Sequence, residues 1–269
     1  MSGRGVRARI TTVAMTSFLD AIKEAYISTF ITDGRYMIFL EGFKNTLIIT
    51  IGALIVGLLV GILVAVAKVY YYQDGPYKIG ESLLLFARTR QIEFLGHAFQ
   101  KLLDIALNLY LTIFRGTPVV VQLMIWAFVI LATANEILVA IIGFGINSGA
   151  YVAEIVRAGI MAVDKGQTEA GRSLGLSAWA TMRKIVLPQA IKNVLPAIGN
   201  EFISLLKETS IVGYIAIVDI TKAAALVRAR TFDAFVPLLF VAAVYLSLVI
   251  IISLIQKKVE HSFRASDRK

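Results

Sequence analysis

Between Thr46 and Ala67 the chain reads TLIITIGALIVGLLVGILVAVA, a run without one ionisable side chain. As an α-helix it is long enough to cross the hydrocarbon core of a bilayer, about 30 Å thick. This run restricts the chain to a membrane fold. Ala53, Gly57 and Gly61 recur in it at every fourth position. Small residues at that spacing line one helical face and let a second helix approach closely; the general frequency of glycine in membrane helices explains the pattern equally well.

The rest of the chain agrees. Hydrophobic residues make up 58% and charged ones only 17%, with a mean hydropathy of +0.77, far from soluble composition. A net charge of +9 would suggest nucleic acid in a soluble protein. In a membrane protein it is expected in cytoplasmic loops, so no nucleic-acid partner is expected. The absence of cysteine excludes thiolate chemistry, disulfides and cysteine-ligated metals, and His97 and His261 are too few for an all-histidine metal site.

Taken in order, the sequence suggests an all-α polytopic bundle with five spans, over 46–68, 112–135, 137–158, 194–219 and 234–256. Residues 1–43 read as a basic extension: a tail with Arg4, Arg7 and Arg9, then a capping box from Ser17 to Asp20 that opens an interfacial helix over 17–31, or a loosely ordered tail. The connection 68–101 is basic, broken by LLLFA at 83–87, and is expected in the cytoplasm. Arg115, Gly116, Thr117 and Pro118 precede the second span, with Pro118 suited to start a helix and Arg115 at its cytoplasmic mouth. The third span carries Gly143, Gly145 and Gly149 around Asn147 and Ser148, as expected where a helix is close-packed or lines a cavity.

Glu154 and Arg157 share a helical face, either as an ion pair marking the helix end or as polar groups on a substrate path. The fourth span holds Asn200, Glu201, Lys207, Glu208 and Thr209, costly within a bilayer unless they face the bundle interior or lie near an end. With Asn147 and Glu154, the residues Asn200, Glu201, Lys207 and Thr209 are the candidate substrate path; each serves equally well as glue between helices. A cytoplasmic carboxyl end, tail 261–269 included, and an external amino end gather most of the basic residues on one side. Arg4, Arg7, Arg9, Lys23, Arg35 and Lys44 run against that arrangement.

One polar segment interrupts the apolar pattern. Gln167 to Leu174 suits a helix that stops at Gly175, and Ser177 caps a second helix in which Trp179, Met182, Ile185 and Val186 recur at three- and four-residue spacing until Pro188 disrupts it. Two short helices joined at a glycine make a docking knob, expected over 163–190 in the cytoplasm.

The knob resembles the signature loop of importer-type ABC permeases, Glu-Ala-Ala followed by Gly and then by Ile-x-Leu-Pro. Here it reads Glu169-Ala170-Gly171, Gly175, then Ile185-Val186-Leu187-Pro188, with the same spacing. Gly171 replaces the second alanine and is expected to loosen the first helix by up to about 1 kcal/mol. FRGTPVVVQL at 114–123, GAYVAEIVRAGI at 149–160, VDKGQTEAGRSLGLS at 163–177, IVLPQAIKNVLPAIGNEFISLLKETS at 185–210 and ARTFDAF at 229–235 are similar to the polar amino acid branch of that family, which takes up histidine, glutamine, glutamate or arginine. The likeness covers about residues 42–260; the long connection 70–105 and the amino-terminal extension depart from it.

The resemblance implies a type I importer permease in a prokaryotic cytoplasmic membrane, with its membrane domain over 44–260. Its implied partners are a second permease subunit, identical or not, an ABC ATPase dimer seated on the knobs, and an extracytoplasmic amino-acid-binding protein. The chain has no G-x-x-x-x-G-K-[ST] phosphate loop, so it is not expected to be an enzyme or to bind a cofactor: ATP and magnesium belong to the ATPase subunits. Within the knob, Glu169 is expected to make polar contacts with the ATPase and Gly175 to permit the turn, while Trp179, Met182 and Ile185 fill a groove there or pack within this subunit. Rival readings are a secondary amino acid transporter, which should show an internal repeat that is not found, a membrane enzyme, for which no catalytic constellation is present, and a plain membrane anchor.

Overall fold

A computed structural model describes residues 20–73 and 91–265, and among them there is no β-strand. Residues 1–19 with the start of the capping box, the LLLFA patch and the basic residues Lys78, Arg88 and Arg90 lie outside the described residues. A helix over 20–26 (α1) passes through a π-helical turn, Ile27–Ile31, and a 3-10 turn, Thr32–Gly34, into α2, Tyr36–Gln73. Asp33 and Gly34 take left-handed backbones at this reversal, and Arg35 fastens it by donating to Ser28 O and pairing with Asp33 at 2.9 Å. α2 outruns the uncharged segment at both ends. It begins inside the expected extension, and it takes in Lys68, which sequence placed in a loop but which is buried.

The second expected span is not one straight helix. α3 covers Gln91–Gly116 and α4 covers Val119–Ile125, continued by a π-helical turn, Trp126–Ile130; the two are bent by 111°. Pro118 causes the corner. It has no N–H to continue the α3 ladder and pushes the preceding residue out of helical geometry. With φ −62° and ψ 130° it stands as the N-cap of α4.

α5, Glu136–Met161, is capped by Asn135, whose side chain accepts from the N–H groups of Ile137 and Leu138. The knob follows as α6, Lys165–Ser173, and α7, Ala178–Thr181. Pro188 does not end the second helix. A π-helical turn, Met182–Val186, absorbs the irregularity, and Pro188 falls in the first turn of α8, Leu187–Glu208, where its N–H is not needed. The fourth expected span is corrected likewise. α8 gives way to a 3-10 helix, Thr209–Ile215, then to Ala216 in a left-handed conformation, and α9, Ile220–Thr231, leaves at 49°. Asp219, fully buried, caps α9 through the N–H groups of Thr221 and Lys222. α10, Phe235–Ala265, is the last described element and carries the first residues of the expected tail.

α2 and α5 make the most extensive helix pair. A Cβ at Gly57 would lie 3.0 Å from Ser148 Cβ, and one at Gly61 only 2.5 Å from Val152 Cβ. From the other side, a Cβ at Gly145 would lie 2.6 Å from Val56 Cβ. The contacts advance together along both helices, so α2 and α5 run parallel. The stripe of small residues is therefore a packing face. Below it, Ile49, Leu123, Phe144, Leu205 and Val212 join α2, α4, α5, α8 and the 3-10 helix in one core. By length and composition α2, α5 and α10 can each cross a membrane; with each bent pair taken as one span the number is five.

Candidate functional site

The corner at Pro118 creates a need that α5 meets. In an unbroken helix Phe114 O would accept from the N–H of residue 118, which proline lacks. Asn147, buried on α5, donates to Phe114 O at 2.9 Å and to Gln122 Oε1 at 2.9 Å. Gln122 in turn donates to Phe114 O and Thr117 O, both at 3.1 Å, and to Thr117 Oγ1 at 2.7 Å. Two amides thus satisfy two of the carbonyls that the bend frees, those of Phe114 and Thr117. Asn147 is a clamp on Arg115-Gly116-Thr117-Pro118, and that motif sits against the middle of α5.

Further along α5 the seam becomes charged. Arg157 grips Glu154 with Nη2 at 2.7 Å and Nε at 3.2 and 3.3 Å. Arg115 reaches the same carboxylate more loosely, 3.9 Å from Oε2, with its guanidinium 5.7 Å over the Tyr151 ring. The group lies about two turns short of the end of α5 at Met161. Its side chain is 43% exposed and that of Glu154 23%, so the cluster opens to a surface. Lys68, buried on α2, bonds Asn108 and pairs with Asp104 at 3.8 Å, which ties α2 to α3.

The remaining expected path residues separate. Glu201 accepts from Ser148 Oγ at 2.7 Å, joining α8 to α5. Asn200 is exposed on the side of α8 that faces α10, where Gln256 donates weakly to it at 3.4 Å. Lys207 is exposed, and Thr209 is buried with its hydroxyl on Leu206 O, both where α8 gives way to the 3-10 helix. Sequence reasoning singled out Ser148 and Glu201 but not their pairing, and missed Gln122 and the grouping of Lys68 with Asp104 and Asn108. Each is a polar residue within or beside an apolar run, a signal that marks cost without naming the partner.

The knob is built as two capped helices around one tight turn. Asp164 caps α6 at Gly166 N, 2.7 Å, and Ser177 caps α7 at Ala180 N, 3.2 Å. Gly175, at φ +83°, turns the chain while its N–H bonds Arg172 O and that of Leu176 bonds Gly171 O, the paired closure of a glycine-stopped helix. Gly171, expected to loosen α6, is the point where the helices touch. A Cβ there would lie 2.8 Å from Thr181 Cγ2 and 2.9 Å from Ile185 Cδ1. The apolar stripe divides: Met182 joins Val163, Val186 and Ala190 in an internal cluster and Ile185 packs on Gly171, whereas Trp179 is 72% exposed. Glu169, Ala170, Leu187 and Pro188 also face outward.

A cleft of roughly 370 Å³ joins the two regions, lined among others by Arg157 from the charged cluster and by Glu169, Thr168 and Met182 from the knob. Among the described residues no group of three or more histidine, aspartate or glutamate side chains is placed to hold a metal ion.

Comparison with known proteins bears on what such an assembly does. Residues 94–265 match the family model described as binding-protein-dependent transport system inner membrane component. The chain is 35% identical to an arginine transport system permease of Bacillus subtilis, over 85% of this chain and 93% of that one. It is 32% identical to a glutamine transport system permease of Escherichia coli, over 84% and 92%. A crystal structure of an amino acid ABC transporter with histidines is similar at a TM-score of 0.70 and 34% identity, covering 87% of this chain and 98% of that one.

Proposed function

Because the chain belongs to the family of inner membrane components of binding-protein-dependent transport systems, we propose that it carries polar or charged amino acids across the cytoplasmic membrane of a prokaryote, driven by partner ATPases. It is the permease of an ABC importer and leaves ATP hydrolysis to another subunit. The observation that carries the amino acid reading is similarity along nearly the whole length of arginine and glutamine permeases. On this reading the membrane domain covers 44–260, the amino end lies outside and the carboxyl end inside. Two permease subunits flank the path, and a binding protein outside delivers the amino acid.

The ATPase dimer binds ATP and magnesium, closes, and draws the two knobs together. The exposed residues Glu169, Ala170 and Trp179 meet the ATPase, while the Gly171 contact and the Gly175 turn keep the knob stiff enough to pass the motion on. The cleft between Glu169 and Arg157 supports this route, since movement of α6 alters the surroundings of the charged cluster directly. There, Glu154 suits the amino group of a substrate, and Arg115, held only loosely by Glu154, suits its carboxylate. Asn147 and Glu201 hold the walls in place. Lys207 and Thr209 brace the far end of α8.

The reading is tested with the permease and its ATPases reconstituted in vesicles and supplied with binding protein. Uptake of arginine, glutamine, histidine or glutamate should require ATP, and uptake without ATPase subunits would overturn it. Glu154→Gln should weaken uptake about tenfold, the scale of one lost charge-assisted hydrogen bond. Unchanged affinity and rate would remove Glu154 from the path.

A further inference from the structure

The stretch ARTFDAF at 229–235 takes no part in the seam or the knob; it forms the corner between α9 and α10. Thr231 closes α9, its hydroxyl donating to Val227 O at 3.0 Å and accepting from Asp233 N at 3.3 Å. Asp233 opens α10 by accepting from Phe235 N at 2.9 Å. Between the two sits Phe232 at φ 55° and ψ 13°, its N–H on Arg228 O. The corner is thus held from both sides. Its apex has the left-handed backbone that glycine takes freely and that strains any residue with a Cβ. The phenylalanine regains nothing by packing, since it is 95% exposed. Arg228 and Arg230 are exposed beside it, and among the described residues neither has a carboxylate within ion-pairing distance.

Glycine or asparagine would serve this turn better, so the ring is explained by contact with something outside the chain. An apolar ring fits a recess that excludes water, and two unpaired guanidinium groups fit carboxylates around its edge. Aromatic and arginine side chains with those surroundings dominate the energetics of protein interfaces. The side of the membrane follows from α10. Its 31 residues span about 46 Å, more than the hydrocarbon core, so its ends stand at opposite faces. With the carboxyl end inside, as the proposed topology has it, the corner lies outside.

We propose that Phe232, with Arg228 and Arg230, is a docking tip for the extracytoplasmic binding protein, entering an apolar recess rimmed by aspartate and glutamate. The inference rests on the importer reading and its topology. A lipid anchor explains the ring and the arginines but has no use for a left-handed apex fixed between two caps.

The experiment uses the complete transporter in nanodiscs of neutral phosphatidylcholine and the purified binding protein that drives its uptake. Phe232→Gly removes the ring and relieves the backbone. The melting temperature should equal or exceed that of the unaltered complex and basal ATP hydrolysis should not change, while the binding-protein concentration for half-maximal stimulation rises about tenfold. Arg228→Glu with Arg230→Glu should raise it by a similar factor at low salt and by less at high salt. Half-maximal concentrations unchanged in both variants would overturn the docking tip. So would a defect confined to nanodiscs containing anionic phosphatidylglycerol, which would assign the corner to lipid. If the unaltered complex shows no stimulation at all, the importer reading itself fails and takes the tip with it.

Discussion

The α2–α5 seam and the knob are both organised by glycine, for opposite reasons. In the seam Gly57, Gly61 and Gly145 are ordinary in backbone conformation and demanded by space, because the facing Val56, Ser148 and Val152 leave no room for a Cβ. At the knob's turn Gly175 has nothing within 4 Å of a Cβ and is demanded by its φ of +83°. Gly171 belongs with the seam, although it sits in the knob. One kind of glycine sets how closely helices lie, and the other sets the direction in which the chain leaves a helix. Damage to the first should cost assembly, and damage to the second should cost coupling.

The sharpest way to break this distinction is Gly61→Val. With a Cβ 2.5 Å from that of Val152, the substitution should destabilise the bundle by about 3 kcal/mol, the upper range for overpacking. It should appear as a lower yield and melting temperature of the purified complex. Adding Val152→Gly, which removes the Cβ in conflict, should return part of the loss; no recovery would mean that the seam does not set the spacing. Gly175→Val comes next. A left-handed β-branched residue costs about 1–2 kcal/mol locally, so the protein should still assemble and its ATPases still turn over while uptake falls. Equal uptake per ATP in variant and unaltered transporter would remove the turn from coupling. The smallest effect is expected of Gly171→Ala, where about 1 kcal/mol gained in helix propensity is offset by contact with Thr181. Alone it should leave the melting temperature nearly unchanged, whereas in the background of Thr181→Ser and Ile185→Val, which remove the two methyls in its way, it should raise it.

Sequence reading went furthest where one residue acts alone. The uncharged run, the stop at Gly175 and the cap at Ser177 are local properties, legible from residue type and spacing. The bends in the second and fourth spans were not. Pro118 announces a break, but its 111° corner depends on Asn147 and Gln122 supplying bonds from elsewhere. Likewise Glu154 and Arg157 could be paired by their spacing, whereas the third member, Arg115, arrives from another helix. Gly171 was legible only in part for the same reason: helix propensity describes a helix in isolation, and its contact with Thr181 does not appear in that description.

The parallel course of α2 and α5 carries one more consequence. Neighbouring helices that run antiparallel cancel each other's peptide dipoles, but two that run together add them. Each helix end carries about half an elementary charge, so the carboxyl ends of this pair bring close to one negative charge to the same face of the bundle. Lys68 and Arg157 lie within two turns of those ends, on α2 and α5 respectively. Both stand more than one turn short of those ends, so their charges are held by Asp104 and Glu154 and not by the terminal dipoles.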